Sequence, residues 1–307
     1  MDTPLSRRDL LRNAALTAAA LVLPTPLAAC ARPAPPMDPD HRRLAAWAGA
    51  LRAEGVSRPD APLGRAATRV GELAAGTPYV PATLEAYLRA GGRPADTEPL
   101  TLSLTRFDCV TLVESCLAVA RVAGDESAPT WERFGREIER MRYRGGERRG
   151  YASRLHYFSE WIADGEKRGM VRSLGEELDG VEDGRPLRFM TEHRGSYPGL
   201  ADAAVFGEIA GIERRLNERP RRVVPAARIP EVADRIESGD VLAFATAIPG
   251  LDVTHAAFAY RGADGILRVL HAPLSGGVVE VTRATLLDYV AAIRRSSGIM
   301  VARPVRG

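Results

Sequence analysis

Apolar residues recur at helical spacing through the first two-thirds of the chain and change to short β runs in the last third. Helical patterning covers 41–54 and returns around 65–75. A turn-rich stretch, "AGTPYVPAT" (75–83), leads to a short helix at 84–90 and a loop over 91–101. Residues 108–123, "DCVTLVESCLAVARVA", predict a strongly apolar helix. A helix-rich, arginine-rich section follows over 131–178, then a Gly- and Pro-containing loop over 179–200, then a helix over 201–219. From about 222 the runs "RRVVPAARI", "DVLAFAT", "THAAFAY", "ILRVLHA" and "GVVEVT" predict strands separated by Gly-rich turns. "RATLLDYVAAI" is one more helix. Helices first and antiparallel strands afterwards define an α+β fold, without the βαβ alternation of a doubly wound sheet.

The first 29 residues read as a signal peptide rather than as fold. Arg7 and Arg8 stand ahead of an apolar run from Ala14 to Leu23, shorter than the roughly 20 residues that span a bilayer. The pair resembles a twin-arginine export signal, with Leu10 where that signal usually has Phe. Leu27-Ala28-Ala29-Cys30 resembles a lipoprotein signal-peptidase site, which implies that Cys30 is lipidated and becomes the new N-terminus. An ordinary signal cleaved nearby, with Cys30 incidental, is the alternative. Ala31 after the cysteine, rather than Asp, implies sorting to the outer membrane by the same resemblance. Residues 30–40, "CARPAPPMDPD", are too Pro-rich for helix and suit a tether from membrane to body. The expectation is an exported, periplasmic, membrane-anchored protein whose body, 41–307, is one domain.

Composition narrows the partners. With 307 residues and 45% hydrophobic content, the chain can bury a substantial core. Its 42 Lys and Arg are nearly matched by 39 Asp and Glu, leaving a net charge of +3 and no basic footprint for nucleic acid.

Two of the three cysteines lie in "TRFDCVTLVESC" (105–116). On one helix, Cys109 and Cys116 are seven positions apart, or roughly 10 Å along the axis. A disulfide needs Cα atoms closer than about 7 Å, and zinc pairs are usually spaced two to four residues apart. Cys116 shares the apolar stripe of Leu112, Val113 and Val119 and reads as core. Cys109 begins the helix after Asp108, with Thr105 upstream as a candidate cap. The positive end of the dipole there lowers a thiol's pKa and favours a thiolate. By itself this leaves a nucleophile and a bland helix-start cysteine both open.

Of the five histidines, His41 adjoins the tether, His193 lies in a loop, and His156 sits among aromatics in "SRLHYFSEW". His255 in "THAAFAY" and His271 in "ILRVLHA" flank the turn "RGADG". A hairpin centred on residue 263 makes them cross-strand partners on one face, their Cβ atoms about 5 Å apart. One imidazole then holds the other in tautomer and orientation, as a general base requires. Two histidines on a solvated face, or part of a metal site, are the other readings. Asp252, the nearest third ligand, is not at a convincing spacing.

The order of helix-start Cys, strand His, then His on the next strand resembles the papain-like cell-wall hydrolases of the NlpC superfamily. "GTPYV" (76–80) before "FDCVT" (107–111) is similar to that superfamily's Gly-x-Pro-Tyr lead-in and Asp-Cys motif. A closer resemblance is to the N-acetylmuramoyl-L-alanine amidase-like family, through "GTPYVPATLE", "FDCVTLVE", "YRGG…GYASRLHYFSEWI", "GLDVTHAAFAY" and "HAP", over about 70–305. The resemblance implies a papain-like NlpC-type core, with the nucleophile helix packed on an antiparallel sheet and a helical insertion at about 130–225. It implies Cys109 as nucleophile, His255 as base, His271 as third member and Tyr79 beside them. Substrate contacts are expected from Asp108 and Asp252, and Arg144, Tyr151, Arg154, His156, Tyr157 and Trp161 in the insertion read either as a groove wall for a glycan or an anionic stem peptide or as a solvated helix with an aromatic core face. Val110 stands where the superfamily usually has Ser, Thr111 where it has Gly, and Pro81 and Ala82 replace the residues after the Tyr. The first change removes a group that helps bind a free peptide amine. The expected activity is hydrolysis of a peptidoglycan amide bond, as an N-acetylmuramoyl-L-alanine amidase, without metal or cofactor; an endopeptidase cutting after γ-D-glutamate and a lipoprotein that binds wall fragments without cutting them are the alternatives.

Overall fold

The structure is a computed structural model that describes residues 37–274 and 277–306. The signal peptide, Cys30 and most of the tether lie outside the described residues. The body forms one compact unit from Met37 onward.

Helices begin where short polar side chains can satisfy the unpaired N–H groups of a first turn. Asp38 caps α1 (Pro39–Ala53), with Pro39 in the first turn. α2 (Leu63–Leu73) and the four-residue α3 (Ala86–Arg89) follow. Asp108 caps α4 (Cys109–Gly124) in a capping box: its carboxylate accepts the Thr111 N–H at 2.8 Å, and the Thr111 hydroxyl accepts the Asp108 N–H at 2.8 Å. The expected cap, Thr105, lies upstream of the helix, and its N–H donates to Ser103 Oγ at 3.1 Å. Thr130 caps α5 (Trp131–Arg142). α6 (Phe158–Lys167) has no cap of its own, because Tyr157 precedes it.

α4 is buried on nearly all sides, as an apolar helix should be. Its one buried acid, Glu114, is held by Arg142 of α5 at 2.8 Å. That arginine also donates to the Thr101 carbonyl.

The expected helical insertion is only partly helical. It also carries three short strands, β1 (Val171–Ser173), β2 (Val181–Asp183) and β3 (Arg221–Pro225), around α7 (Phe189–Glu192) and α8 (Ala203–Leu216). After α9 (Ile229–Val232) come β4 (Val241–Thr246), β5 (Val253–Arg261), β6 (Leu267–His271), β7 (Glu280–Val281), α10 (Leu286–Ala292) and β8 (Ser296–Pro304). All join one antiparallel sheet in the order β2-β3-β8-β4-β5-β6-β7, with β1 also on β8.

Alternation along the strands buries both faces. Val241, Ala243 and Ala245 pack with Ala256 and Phe258 against α1, α2, α4 and α5. Leu242 and Phe244 turn the other way, with Ala257, Val269 and Val301, against α9 and α10. The contact of α2 with β6 is so close that a Cβ on Gly71 would lie 2.5 Å from Leu270. A third apolar cluster, including Tyr151, Tyr157, Leu200, Val205 and Ile209, gives the insertion its own core.

Candidate functional site

Cys109 occupies the first turn of α4 and is half-buried, whereas Cys116 is fully buried in the main core. Both thiols are free. The backbone N–H groups of Ala256, Val110 and Cys109 itself favour the thiolate form of Cys109. Burial outweighs them, with help from the Asp108 carboxylate, and the thiol is pushed up to about 12. The sequence-based expectation of a lowered thiol pKa is therefore corrected: the helix terminus does favour an anion, but desolvation is larger.

His255 and His271 do lie side by side. His255 Nε2 and His271 Nδ1 are 2.9 Å apart, and both rings are buried. Their geometry differs from the expected one. The β5–β6 ladder pairs Phe258 with Leu270 and Arg261 with Leu267, which centres the hairpin one residue later than 263. The histidines are thus diagonal neighbours on one face, a separation that long side chains still bridge. They share this face with Phe244, which stacks on His255 with ring centroids 5.6 Å apart. Burial lowers His255 to about 3, with the second imidazole adding to the effect, and burial lowers His271 to about 4. Both rings are neutral at pH 7.

Two further groups join the pair. The Tyr289 hydroxyl of α10 is 3.2 Å from His271 Nδ1. Glu280 stands directly opposite His271 across β6 and β7, a carboxylate oxygen 3.8 Å from His271 Nε2. The pKa of Tyr289 is pushed up to about 12 by burial and then by the charges of Cys109 and Glu280. Burial, and then the charges of Cys109 and Asp108 at the helix start, raise Tyr79. Tyr79 is half-buried and bridged to Phe107, two residues before the cysteine. Cys109, His255, His271, Tyr79, Tyr289 and Glu280 therefore form one neighbourhood. Sequence reasoning missed Tyr289 and Glu280. Each lay inside an element read correctly as helix or strand, but which neighbour it faces depends on tertiary packing.

Most of the other expected contacts belong to the interior instead. Arg144 grips Glu160 with two nitrogens and the Ala152 carbonyl with a third. Arg154 is buried between Glu85 and Glu98, over the face of Tyr151. Tyr151 is fully buried, and the buried Tyr157 donates its hydroxyl to Glu213 at 2.7 Å. Asp252 is buried and accepts the Ser159 N–H at 2.8 Å, so it supplies the cap that α6 lacks and ties the insertion to the start of β5. The Asp108 carboxylate is occupied by Thr111. His156 is half-buried, its Nε2 2.9 Å from the Tyr151 carbonyl. Trp161 is buried. Two clefts in the insertion hold 660 Å³, between Arg144, Ser153 and Glu208, and 560 Å³, between Glu160, Glu166 and Arg219, and neither includes Cys109 or the imidazoles. Among the described residues, no group of three or more His, Cys, Asp or Glu is placed to hold a metal.

Fold and site together define an α+β protein whose candidate centre combines a helix-start thiol with a buried pair of imidazoles. A family model described as N-acetylmuramoyl-L-alanine amidase-like matches residues 69–299. The chain belongs to this N-acetylmuramoyl-L-alanine amidase-like family. No curated protein matches it. A solved N-acetylmuramoyl-L-alanine amidase from Bacteroides uniformis ATCC 8492 is similar at 30% identity and a TM-score of 0.71, over 79% of this chain and 99% of that one. A Bacteroides fragilis protein named as a candidate xylanase is similar at 30% identity and a TM-score of 0.69, over 76% of this chain and 99% of that one. A Legionella pneumophila protein shares the fold at 17% identity and a TM-score of 0.62, over 86% of this chain and 94% of that one.

Proposed function

We propose that this protein is an exported cysteine hydrolase with a papain-like NlpC-type core that cuts a peptidoglycan amide bond, namely the bond between N-acetylmuramic acid and L-alanine. One observation carries the reading: in a chain of the amidase-like family, the Cys109 thiol meets the Ala256 amide, one residue beyond His255, whose ring is bonded to His271. His255 Nδ1 is buried and has no hydrogen-bond partner among the described residues, which leaves a lone pair available as base.

The neutral resting states define the order of events. With the thiol raised and the imidazole lowered, no preformed ion pair is stored. The proton leaves sulfur for His255 Nδ1 as sulfur bonds to the carbonyl carbon. The new oxyanion is received by N–H groups at the start of α4, that of Cys109 among them. His255 returns the proton to the departing amine, and the C–N bond breaks to leave a thioester. Water then attacks the thioester, giving its proton to the same nitrogen, and frees the thiol. His271 positions His255 through their shared hydrogen bond.

Val110 in place of an amine-binding Ser favours a substrate without a free N-terminus near the scissile bond, as in the amidase reaction. A glycosidase, as the Bacteroides fragilis relative is named, works through two carboxyl groups flanking the bond. Here the carboxylate nearest the thiol in sequence, Asp108, is committed to the helix cap.

The test is to incubate peptidoglycan fragments with the purified protein and to weigh the products. The expected products are free stem peptides beginning with L-alanine and glycan stripped of peptide. Cys109→Ala should abolish them, while Cys116→Ala keeps the chemistry. Uncut fragments, cleavage within the peptide, or full activity in Cys109→Ala would each overturn the proposal.

A further inference from the structure

Beyond the thiol and the two imidazoles, the site holds an acidic side chain whose position has a chemical consequence. His271 is buried, yet its Nε2 has no hydrogen-bond partner among the described residues. That nitrogen is turned toward Glu280, 3.8 Å away on the neighbouring strand. The placement is built into the sheet, because His271 and Glu280 are a direct cross-strand pair. On the other side of the ring, Nδ1 is approached by two groups able to donate, His255 Nε2 at 2.9 Å and the Tyr289 hydroxyl at 3.2 Å. A neutral imidazole carries one proton. If Nδ1 accepts from both neighbours, the proton of His271 must sit on Nε2, facing the carboxylate.

We infer that Glu280 is a positioning residue that holds the His271 proton on Nε2 and thereby leaves Nδ1 to accept from His255. This rests on the proposed cysteine chemistry and deepens it. The protons then run in one direction. The Glu280 carboxylate attracts the Nε2 proton of His271 across 3.8 Å, His271 Nδ1 accepts from His255 Nε2, and His255 Nδ1 is left bare as the base. When His255 takes the thiol proton, positive charge appears on the pair, and the carboxylate stabilises it. The groups facing this charge are Cys109 from α4, His255 from β5, Tyr289 from α10 and Glu280 from β7. Glu280 is about half-exposed, 55% by side chain, so its field is partly screened by solvent. An effect of about three- to ten-fold on turnover is in scale for such a charge.

The experiment combines kinetics with ring nitrogen NMR on the full chain labelled with 15N-histidine. In the wild type at pH 7, His271 should show the Nε2–H tautomer. Glu280→Gln keeps the size and an acceptor oxygen but removes the charge. It should lower kcat about three- to ten-fold with KM unchanged, and move the acid limb of the pH–rate profile about half a unit toward lower pH. The difference from wild type should shrink in 0.5 M salt, roughly a 4 Å screening length. A His271 proton on Nδ1 in the wild type, or unchanged kcat and acid limb in Glu280→Gln, would overturn the inference. Should Cys109→Ala still hydrolyse substrate, the cysteine reading falls, and the NMR tautomer alone then decides the role of Glu280.

Discussion

Replacing His255 with Gln should change how stability depends on pH, by an amount set by the burial of its ring. In the native protein burial holds His255 at about 3, whereas in the unfolded chain a histidine titrates near 6.5. The folded value is the lower one. As pH falls below about 6.5 the unfolded chain therefore takes up a proton that the native ring refuses, and stability is lost until about pH 3. One proton is worth about 1.4 kcal/mol per pH unit, so this ring removes about 3 kcal/mol between pH 7 and pH 4. His271, lowered to about 4, follows the same sign over a slightly narrower window. The raised carboxyls of Glu98, Glu114 and Asp252 act oppositely, because the native state protonates them first on acidification. An absolute stability curve mixes all these groups, and the wild type minus His255→Gln isolates one of them. Gln retains a group able to donate to His271 Nδ1. Urea unfolding at pH 7, 6, 5 and 4 should show the wild type losing about 3 kcal/mol more than the variant across that span. Parallel curves would mean that His255 is not held neutral by burial. The proposed base would then not be an uncharged imidazole in a dry site.

Two other outcomes test different parts of the molecule. Arg142→Met leaves the Glu114 carboxylate of α4 buried without its partner, and should cost about 3–5 kcal/mol in chemical denaturation, most of it recovered in Glu114→Leu/Arg142→Met. If Cys30 carries lipid, the protein made in cells should partition into detergent and Cys30→Ala into the aqueous phase; an aqueous wild type would remove the proposed anchor.

What the sequence made legible, and what it hid, separates along the range of the interactions involved. The helix beginning at Cys109 and the β5–β6 hairpin are announced by residues within a few positions of each other. So is the neighbourhood of the two histidines, and both elements stand where the pattern predicts. The one-residue error in register arose because "RGADG" does not dictate which turn it forms, and diagonal reach let the rings meet anyway. β8 escaped notice although it is the strand against which β1, β3 and β4 all pair. Its apolar core is the short run "IMVA" (299–302), which periodicity cannot tell from helix. β1 and β2, at three residues each, are shorter than any window that detects alternation. The burial of Arg154 was hidden for a related reason. Arg154 is neutralised by Glu85 and Glu98, which lie far upstream in the chain. A guanidinium cannot be recognised as internal until its distant partners are known. The same logic reversed the expected state of the thiol. A helix terminus acts within one turn and is visible in "DCVT", but the Ala256 stretch of the sheet that meets Cys109 comes from a segment more than a hundred residues away. The local motif thus points to the proposed nucleophile, while the packing around it sets its protonation. Burial raises the Cys109 thiol and lowers the His255 imidazole, so in the proposed reaction no ion pair is stored and proton transfer is part of the attack itself.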